Sequence, residues 1–387
     1  MTILIRTGKP SPNCFPFSGM SIKLKDADTE IQLSDKDLHD AFQYALMPGG
    51  LPELRQWFES FQAKLHDPGP AGTWGCGMGS GSQDLLYKAF QVFTDPGDSV
   101  LIDTPAYSGV LGFLKADGHD LIGKVATARD SIQRRRFGIY CAREDSETMA
   151  IQQASAPSLI EILRLAKEHD FLIFEDDAYY FLDFASSTTK PRSYLALESQ
   201  VNNQTGRVLR FDSMSKIMSA GLRLGFLTTS LPILNTVNMI TGNTNLQPPS
   251  TSQVIALSIL RQWGHSGFLA HAARTADFYR CRRDALLAAA EKHLREKARW
   301  EAPQAGMFLW LELQLPPGRD TLEILSKYAV QAGVIGVPGT AFMPGGGKTR
   351  YLRLSYSLLG EEEADEACRR ISRLVELVVA EDGMQGC

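Results

Sequence analysis

Short apolar runs closed by polar residues alternate with amphipathic stretches along the first two thirds of the chain. Residues 99–103, 171–174, 208–211 and 222–227 each hold such a run, short enough for a buried strand. The second ends in Glu175, Asp176 and Asp177, and the third in the segment DSMSK at 212–216. Between them, residues 84–93 and 159–169 carry apolar positions at helical spacing. Residues 33–64 read as helical pieces broken by Pro and Gly at 47–52. Strands alternating with helices predict a largely parallel sheet covered on both faces, with polar groups at the strand carboxyl ends lining a crevice. After Gln253 the pattern stays helical to about Leu294, with an interruption near Gly264. Residues 307–313, 333–337 and 351–356 are strand-like, and 361–380 form a closing helix with acids in its first turn. The whole predicts an α/β chain: a large domain with a mostly parallel central sheet, and a smaller α+β domain. The expected division is an N-terminal segment at 1–40 packing with the small domain, a large domain at 41–270, and a connecting helix plus small domain at 271–387.

Composition narrows the classes. The chain has 387 residues, 44% hydrophobic and 22% charged, which excludes disorder and a coiled coil. Lys plus Arg is 40 against 44 Asp plus Glu, a net charge of −4, with no electrostatic footprint for nucleic acid or an anionic membrane. The six cysteines form no C-x-x-C pair and the seven histidines no H-x-x-x-H spacing, so no metal site is expected and a reducing, cytoplasmic setting is. No signal peptide or membrane-spanning run is expected. The uncharged stretch 224–260 holds Asn, Thr, Gln and Pro, and reads as buried near a site or a subunit interface.

Two segments carry candidate chemistry. GCGMGSGSQ at 75–83 feeds a helix, and a Gly-rich turn at a helix start offers free N–H groups to an anion. At 213–225, Ser213 and Ser215 precede Lys216, and Arg223 follows seven residues later. Hydroxyls and a guanidinium around one lysine suit a phosphate, Arg contributing bidentate contacts. A phosphate beside a nucleophilic lysine suggests pyridoxal phosphate held as a Schiff base. That cofactor needs a carboxylate at its pyridine nitrogen, and Asp176 at a strand end supplies one. Taken alone, residues 175–177 also fit a solvated cluster, residues 80–83 a plain helix cap, and Arg353 a structural ion pair.

Together these motifs resemble the class I, fold type I pyridoxal-phosphate aminotransferases, most closely the branch of fungal aromatic, kynurenine and 2-aminoadipate aminotransferases. The likeness runs from PSPNCFP at 10–16 to Arg353 in YLR at 351–353. It implies that Lys216 carries the cofactor and then shuttles a proton. Asp176 would pair with the pyridine nitrogen, Tyr179 would donate to the cofactor's phenolate oxygen, and Tyr107 would stack on its ring. Gly81, Ser82, Gln83, Ser213, Ser215 and Arg223 would hold the phosphate, with Tyr44 reaching that of the neighbouring subunit in a homodimer. Arg353 would clamp the substrate α-carboxylate and Gly8 would face the substrate. PGTAF at 338–342 and GMFLW at 306–310 match small-domain signatures with structural roles. The activity implied is transfer of an amino group from an aromatic, kynurenine, 2-aminoadipate or lysine-type L-amino acid to a 2-oxo acid such as 2-oxoglutarate.

One segment departs from the family. The P-x-x-x-N-P-T-G type motif, whose Asn contacts the phenolate oxygen, has no counterpart: residues 119–170 contain no Asn and a single proline, Pro157. RRRFGIYCAR at 134–143 stands in its place, and the likeness resumes near residue 163. This pattern suggests a shifted reading frame or altered splice sites around residues 119–160, and predicts that a central strand is absent or replaced and catalysis weakened. With the chain starting just before Gly8, the family's longer N-terminal arm is also expected to be missing. The alternatives are another reaction on the same fold, a β-lyase or decarboxylase, or a degenerate non-catalytic homologue. A dinucleotide-binding oxidoreductase is remote, because residues 75–79 make a poor fingerprint.

Overall fold

A computed structural model describes the chain outside residues 1–7, 26–28, 46, 125–138, 144–155, 185–191 and 386–387. A hairpin of β1 (Ser21–Lys23) and β2 (Glu30–Gln32) precedes α1 (Asp35–Phe42) and α2 (Pro52–His66). The central part runs β3 (Trp74–Gly79), α3 (Ser82–Phe93), β4 (Ser99–Asp103), α4 (Ser108–Ala116), β5 (Asp120–Lys124) and β6 (Ile139–Arg143). It continues with α5 (Ala156–His169), β7 (Leu172–Asp176), α6 (Tyr194–Asn202), β8 (Val208–Ser213), β9 (Gly225–Ser230) and α7 (Leu231–Thr244). The last third holds α8 (Ser250–Leu294), β10 (Ala298–Arg299), β11 (Phe308–Leu313), α9 (Thr321–Ala332), β12 (Val337–Pro338), β13 (Tyr351–Ser355) and α10 (Glu361–Gln385).

Seven strands form the large sheet in the order β3-β9-β8-β7-β6-β4-β5. Strands β8, β7, β6, β4 and β5 are mutually parallel, and β9 runs antiparallel to both neighbours. Period-two alternation in these runs sends apolar side chains to both faces. On one face, Phe174 and Phe211 pack with Leu86 and Phe90 of α3 and Leu234 of α7. On the other, Ile173 and Val208 pack with Ile162 and Leu163 of α5 and Leu195 of α6. Burying each such side chain contributes about 1.5–3 kcal/mol, so the sheet is fixed from both sides. This fulfils the expectation of a largely parallel, doubly covered sheet. The second sheet, β10-β11-β13-β12, is antiparallel and packs with the end of α8 and with α10.

Several sequence expectations need correction. Of the two outcomes expected for the central strand, absent or replaced, absence is overturned: β6, drawn from the segment without family counterpart, pairs with β4 on one side and β7 on the other. The glycine-rich stretch is not all turn. Residues 74–79 are strand β3, and a Cβ on Gly77 would meet Leu234 at 2.7 Å while one on Gly79 would meet Leu85. Glycine there lets α7 and α3 lie directly on the strand. The strand expected at 222–227 begins at Gly225, since residues 220–222 turn as a 3-10 helix and Arg223 is left-handed (φ 49°). The strand expected at 333–337 shrinks to Val337–Pro338, because Gly333 (φ 67°) is the left-handed stop of α9. The interruption at Gly264 is observed: its φ of 60° and ψ of −174° break α8 into two helices.

Candidate active site

The carboxyl ends of β7 and β8 sit side by side, Asp176 pairing in register with Phe211. Asp176, at the end of β7, is buried, as are Glu175 and Asp177, so these three acids are not a solvated cluster. The chain then turns through Tyr179, also buried. Beyond β8, Ser213 Oγ accepts from the Ser215 amide at 3.3 Å, starting the turn that presents Lys216. Lys216 Nζ lies 5.3 Å from the centre of the Tyr179 ring. The far side of this turn is held by α8, where His271 Nε2 lies 2.9 Å from the Ile217 carbonyl oxygen and its ring stacks on Trp263.

A cradle closes the site beside β3. Gly81 adopts φ 98°, a conformation that favours glycine, and leads into α3, which no side chain caps among the described residues. The backbone amides of its first turn therefore face outward with the positive end of the helix dipole. Arg223 lies across this turn: Nη2 donates to the Ser80 carbonyl at 3.3 Å and Nη1 to Ser215 Oγ at 3.4 Å. The approach leaves no room for side chains. A Cβ on Gly81 would sit 2.6 Å from Arg223 Nη2, and one on Gly225 2.5 Å from the Ser82 nitrogen. Ser80 is steadied from below, its amide donating to Asp84, which pairs with the buried Lys88 at 2.9 Å. Backbone amides, two hydroxyls and a guanidinium around so tight a turn fit a phosphate group. Tyr107 stands at the start of α4, its hydroxyl donating to Gln83 Oε1 at 3.1 Å.

The small sheet adds the remaining cation. Arg353 on β13 has its guanidinium carbon 4.0 Å from the centre of the Phe308 ring and 4.5 Å from that of Phe342. The Phe308 ring is edge-on to Tyr179 at 6.4 Å. Lys216, Tyr179, Phe308 and Arg353 thus form one chain of contacts across the two sheets. Phe308 and Phe342 lie in motifs that the sequence assigned only structural roles; two rings gripping a planar guanidinium require folded coordinates to see. His271 was likewise missed, being 55 residues along from Lys216 (271 − 216) with no motif around it. Gly8 and Tyr44 are exposed on the single chain, and Lys9 Nζ donates to the Tyr44 carbonyl at 2.8 Å. The expected site of an Asn-containing segment falls mostly within residues 125–138 and 144–155, outside the described residues. Among the described residues, no helix is long and apolar enough to cross a membrane.

Comparison with known proteins gives this geometry a family. The model of the family described as aminotransferase class I and II matches residues 152–371. Aminotransferase tdiD of Emericella nidulans is 47% identical over 391 residues, covering 97% of this chain and 89% of that protein. The mitochondrial kynurenine/alpha-aminoadipate aminotransferase of Mus musculus is 34% identical, covering 97% of this chain and 92% of its own. The crystal structure of Pyrococcus horikoshii kynurenine aminotransferase superposes with a TM-score of 0.79 at 25% identity, covering 88% of this chain and 83% of that one. The phosphate-fitting turn, the lysine beyond β8 and the buried aspartate therefore sit in a chain that belongs to the class I and II aminotransferases, enzymes dependent on pyridoxal phosphate.

Proposed function

We propose that this aminotransferase moves the α-amino group of an aromatic, kynurenine, 2-aminoadipate or lysine-type L-amino acid to a 2-oxo acid such as 2-oxoglutarate. The observation that carries the reading is the contact chain from Lys216 through Tyr179 and Phe308 to Arg353. It sets a primary amine and a guanidinium at the two ends of one aromatic wall. Relatives named for kynurenine, aminoadipate and aromatic amino acids support the choice of donor.

Each residue has a distinct task in this reading. Arg223, Ser213, Ser215, Gly81, Ser82 and Gln83 would hold the cofactor phosphate, Tyr107 would stack on the ring, and the Asp176 carboxylate would keep a proton on the ring nitrogen. When bound, pyridoxal phosphate supplies an electron sink for the pair left on the substrate Cα. Tyr179 would donate a hydrogen bond to the ring oxygen. Arg353 would bind the substrate α-carboxylate with a fork whose plane the Phe308 and Phe342 rings restrain, and Gly8 would face the substrate. Lys216 would hold the cofactor through its amine and, when free, would take up and return the proton of the substrate Cα. Retention of the carbon skeleton separates this from β-elimination or decarboxylation.

The working unit in this reading is a homodimer in the cytoplasm, with the exposed Tyr44 reaching the partner's phosphate. Its body divides into an N-terminal segment at 1–40, a large domain at 41–270 and a small domain from 271. The test is a donor screen with 2-oxoglutarate, reading glutamate and the matching keto acid. Equimolar keto acid and glutamate from one donor class supports the proposal. Ammonia or carbon dioxide in place of glutamate would overturn it.

A further inference from the structure

Behind the sheet from Asp176 lies a group of charges that the transfer chemistry does not touch. Alternation along β7 and β8 sends Asp176 and Phe211 to one face, and Glu175 and Arg210, their neighbours in register, to the other. Arg210 is fully buried. Its guanidinium contacts Glu175 at 3.3 Å, Asp177 at 3.0 Å and Asp212 at 3.0 Å, and its Cζ lies 4.7 Å from the Tyr180 ring centre. Glu175 also accepts the Tyr194 and Leu195 amides at 2.7 and 3.3 Å, tying in the start of α6. Asp212 accepts from Gln62 of α2 at 2.9 Å, and Gln62 reaches on to Thr228 of β9.

Among the described residues, His66 of α2, bonded to Ser193, and the Cys76 thiol of β3, bonded to Thr228, lie next to this cluster, besides Tyr180. None of these supplies a second permanent cation. Three carboxylates share one guanidinium out of water, where the desolvation of each ion costs several kcal/mol. Burial pushes the carboxyls of Glu175 and Asp212 up, with Arg210 opposing.

We propose that Arg210 is a positioning residue for the transfer reaction: by drawing Glu175, Asp177 and Asp212 together it locks the ends of β7 and β8, and so sets Asp176 against the turn carrying Lys216. Both strands whose ends carry these groups are pinned from behind by the same guanidinium. A lysine there keeps the charge but loses the planar fork that spans three carboxylates. The inference rests on Asp176 and Lys216 having the roles proposed above.

The test uses the holoenzyme. Arg210→Lys is compared with wild type in cofactor Kd, in the pH midpoint of the bound-cofactor absorbance, and in kcat and KM. A shifted Asp176 changes how firmly the ring proton is held. The midpoint should move by about half a pH unit, roughly threefold in proton affinity, and kcat should fall about tenfold with KM within about twofold. A lower melting temperature with unchanged midpoint, Kd and kcat means a purely structural role and overturns the proposal. If Arg210→Lys is recovered unfolded, Asp212→Asn takes its place: the same shifts support the proposal, and their absence overturns it. Borohydride labelling run alongside separates the two levels. Wild type unlabelled at Lys216 defeats the reading of the site, whereas labelled protein with unchanged midpoints defeats only the role of Arg210.

Discussion

At the scale of single residues, chemistry and support divide cleanly between the two faces of β7 and β8. Lys216 is itself only half-buried, beside a buried tyrosine ring and outside the apolar clusters that take Met214 and Ile217 of the same turn, so its amine can be removed without emptying a core. Lys216→Ala should abolish transamination while leaving the circular dichroism spectrum and melting temperature near wild type. Measurable turnover in a rigorously purified variant would contradict the proposed role. Arg353 differs, because its guanidinium is gripped by Phe308 and Phe342. Arg353→Ala should cost about 3–5 kcal/mol in kcat/KM by leaving the substrate carboxylate unpaired. Unchanged kcat/KM for the amino donor would remove Arg353 from the site.

At the scale of elements, close approach is what builds the phosphate-fitting turn. Gly225 opens β9 where a Cβ would meet only backbone: the Ser82 nitrogen at 2.5 Å, the Gly81 carbonyl carbon at 2.7 Å and the Asp212 oxygen at 2.9 Å. None of these can swing away as a side chain would. Gly225→Ala should therefore destabilise the protein by about 1–3 kcal/mol and weaken cofactor binding together with it, read from urea unfolding and a cofactor titration. A stable variant with wild-type affinity would show that the turn is looser than described. The chemistry-bearing elements were the legible ones. Runs such as 99–103 and 208–211 are short, apolar and closed by polar residues, the pattern of a buried strand. Strand β6 was not legible, because an Arg-rich stretch masks the five residues that pair, and pairing between parallel strands leaves no local signal. Arg210 shows the same limit from the other side. A charge inside an apolar strand signals a buried partner, but which acids meet it depends on the register of β7 against β8.

At the scale of the whole molecule, the buried charges give a pH dependence with a definite sign. Burial raises the Glu175 carboxyl from 4.5 to about 7, and the Asp212 carboxyl from 3.8 to about 6. The folded chain thus holds protons that the unfolded chain releases. Their contribution to stability is full below the ordinary carboxyl range and is lost as pH rises through about 6 to 7. Denaturation midpoints at about pH 5 and about pH 8 should show this fall, and Glu175→Gln, which stays neutral, should flatten it. Equal slopes for the two proteins would mean that Glu175 does not hold one of the protons. The two sheets meet the same aromatic wall, so the small sheet brings Arg353 to a site whose other groups lie on the large one. The central claim, that Lys216 at this junction carries the cofactor, is tested most directly by the absorbance of the purified protein with pyridoxal phosphate before and after borohydride, followed by peptide mapping. The account predicts a visible band, bleached by borohydride, with the label on the peptide containing Lys216. A band that survives borohydride, or a label on another lysine, would contradict it.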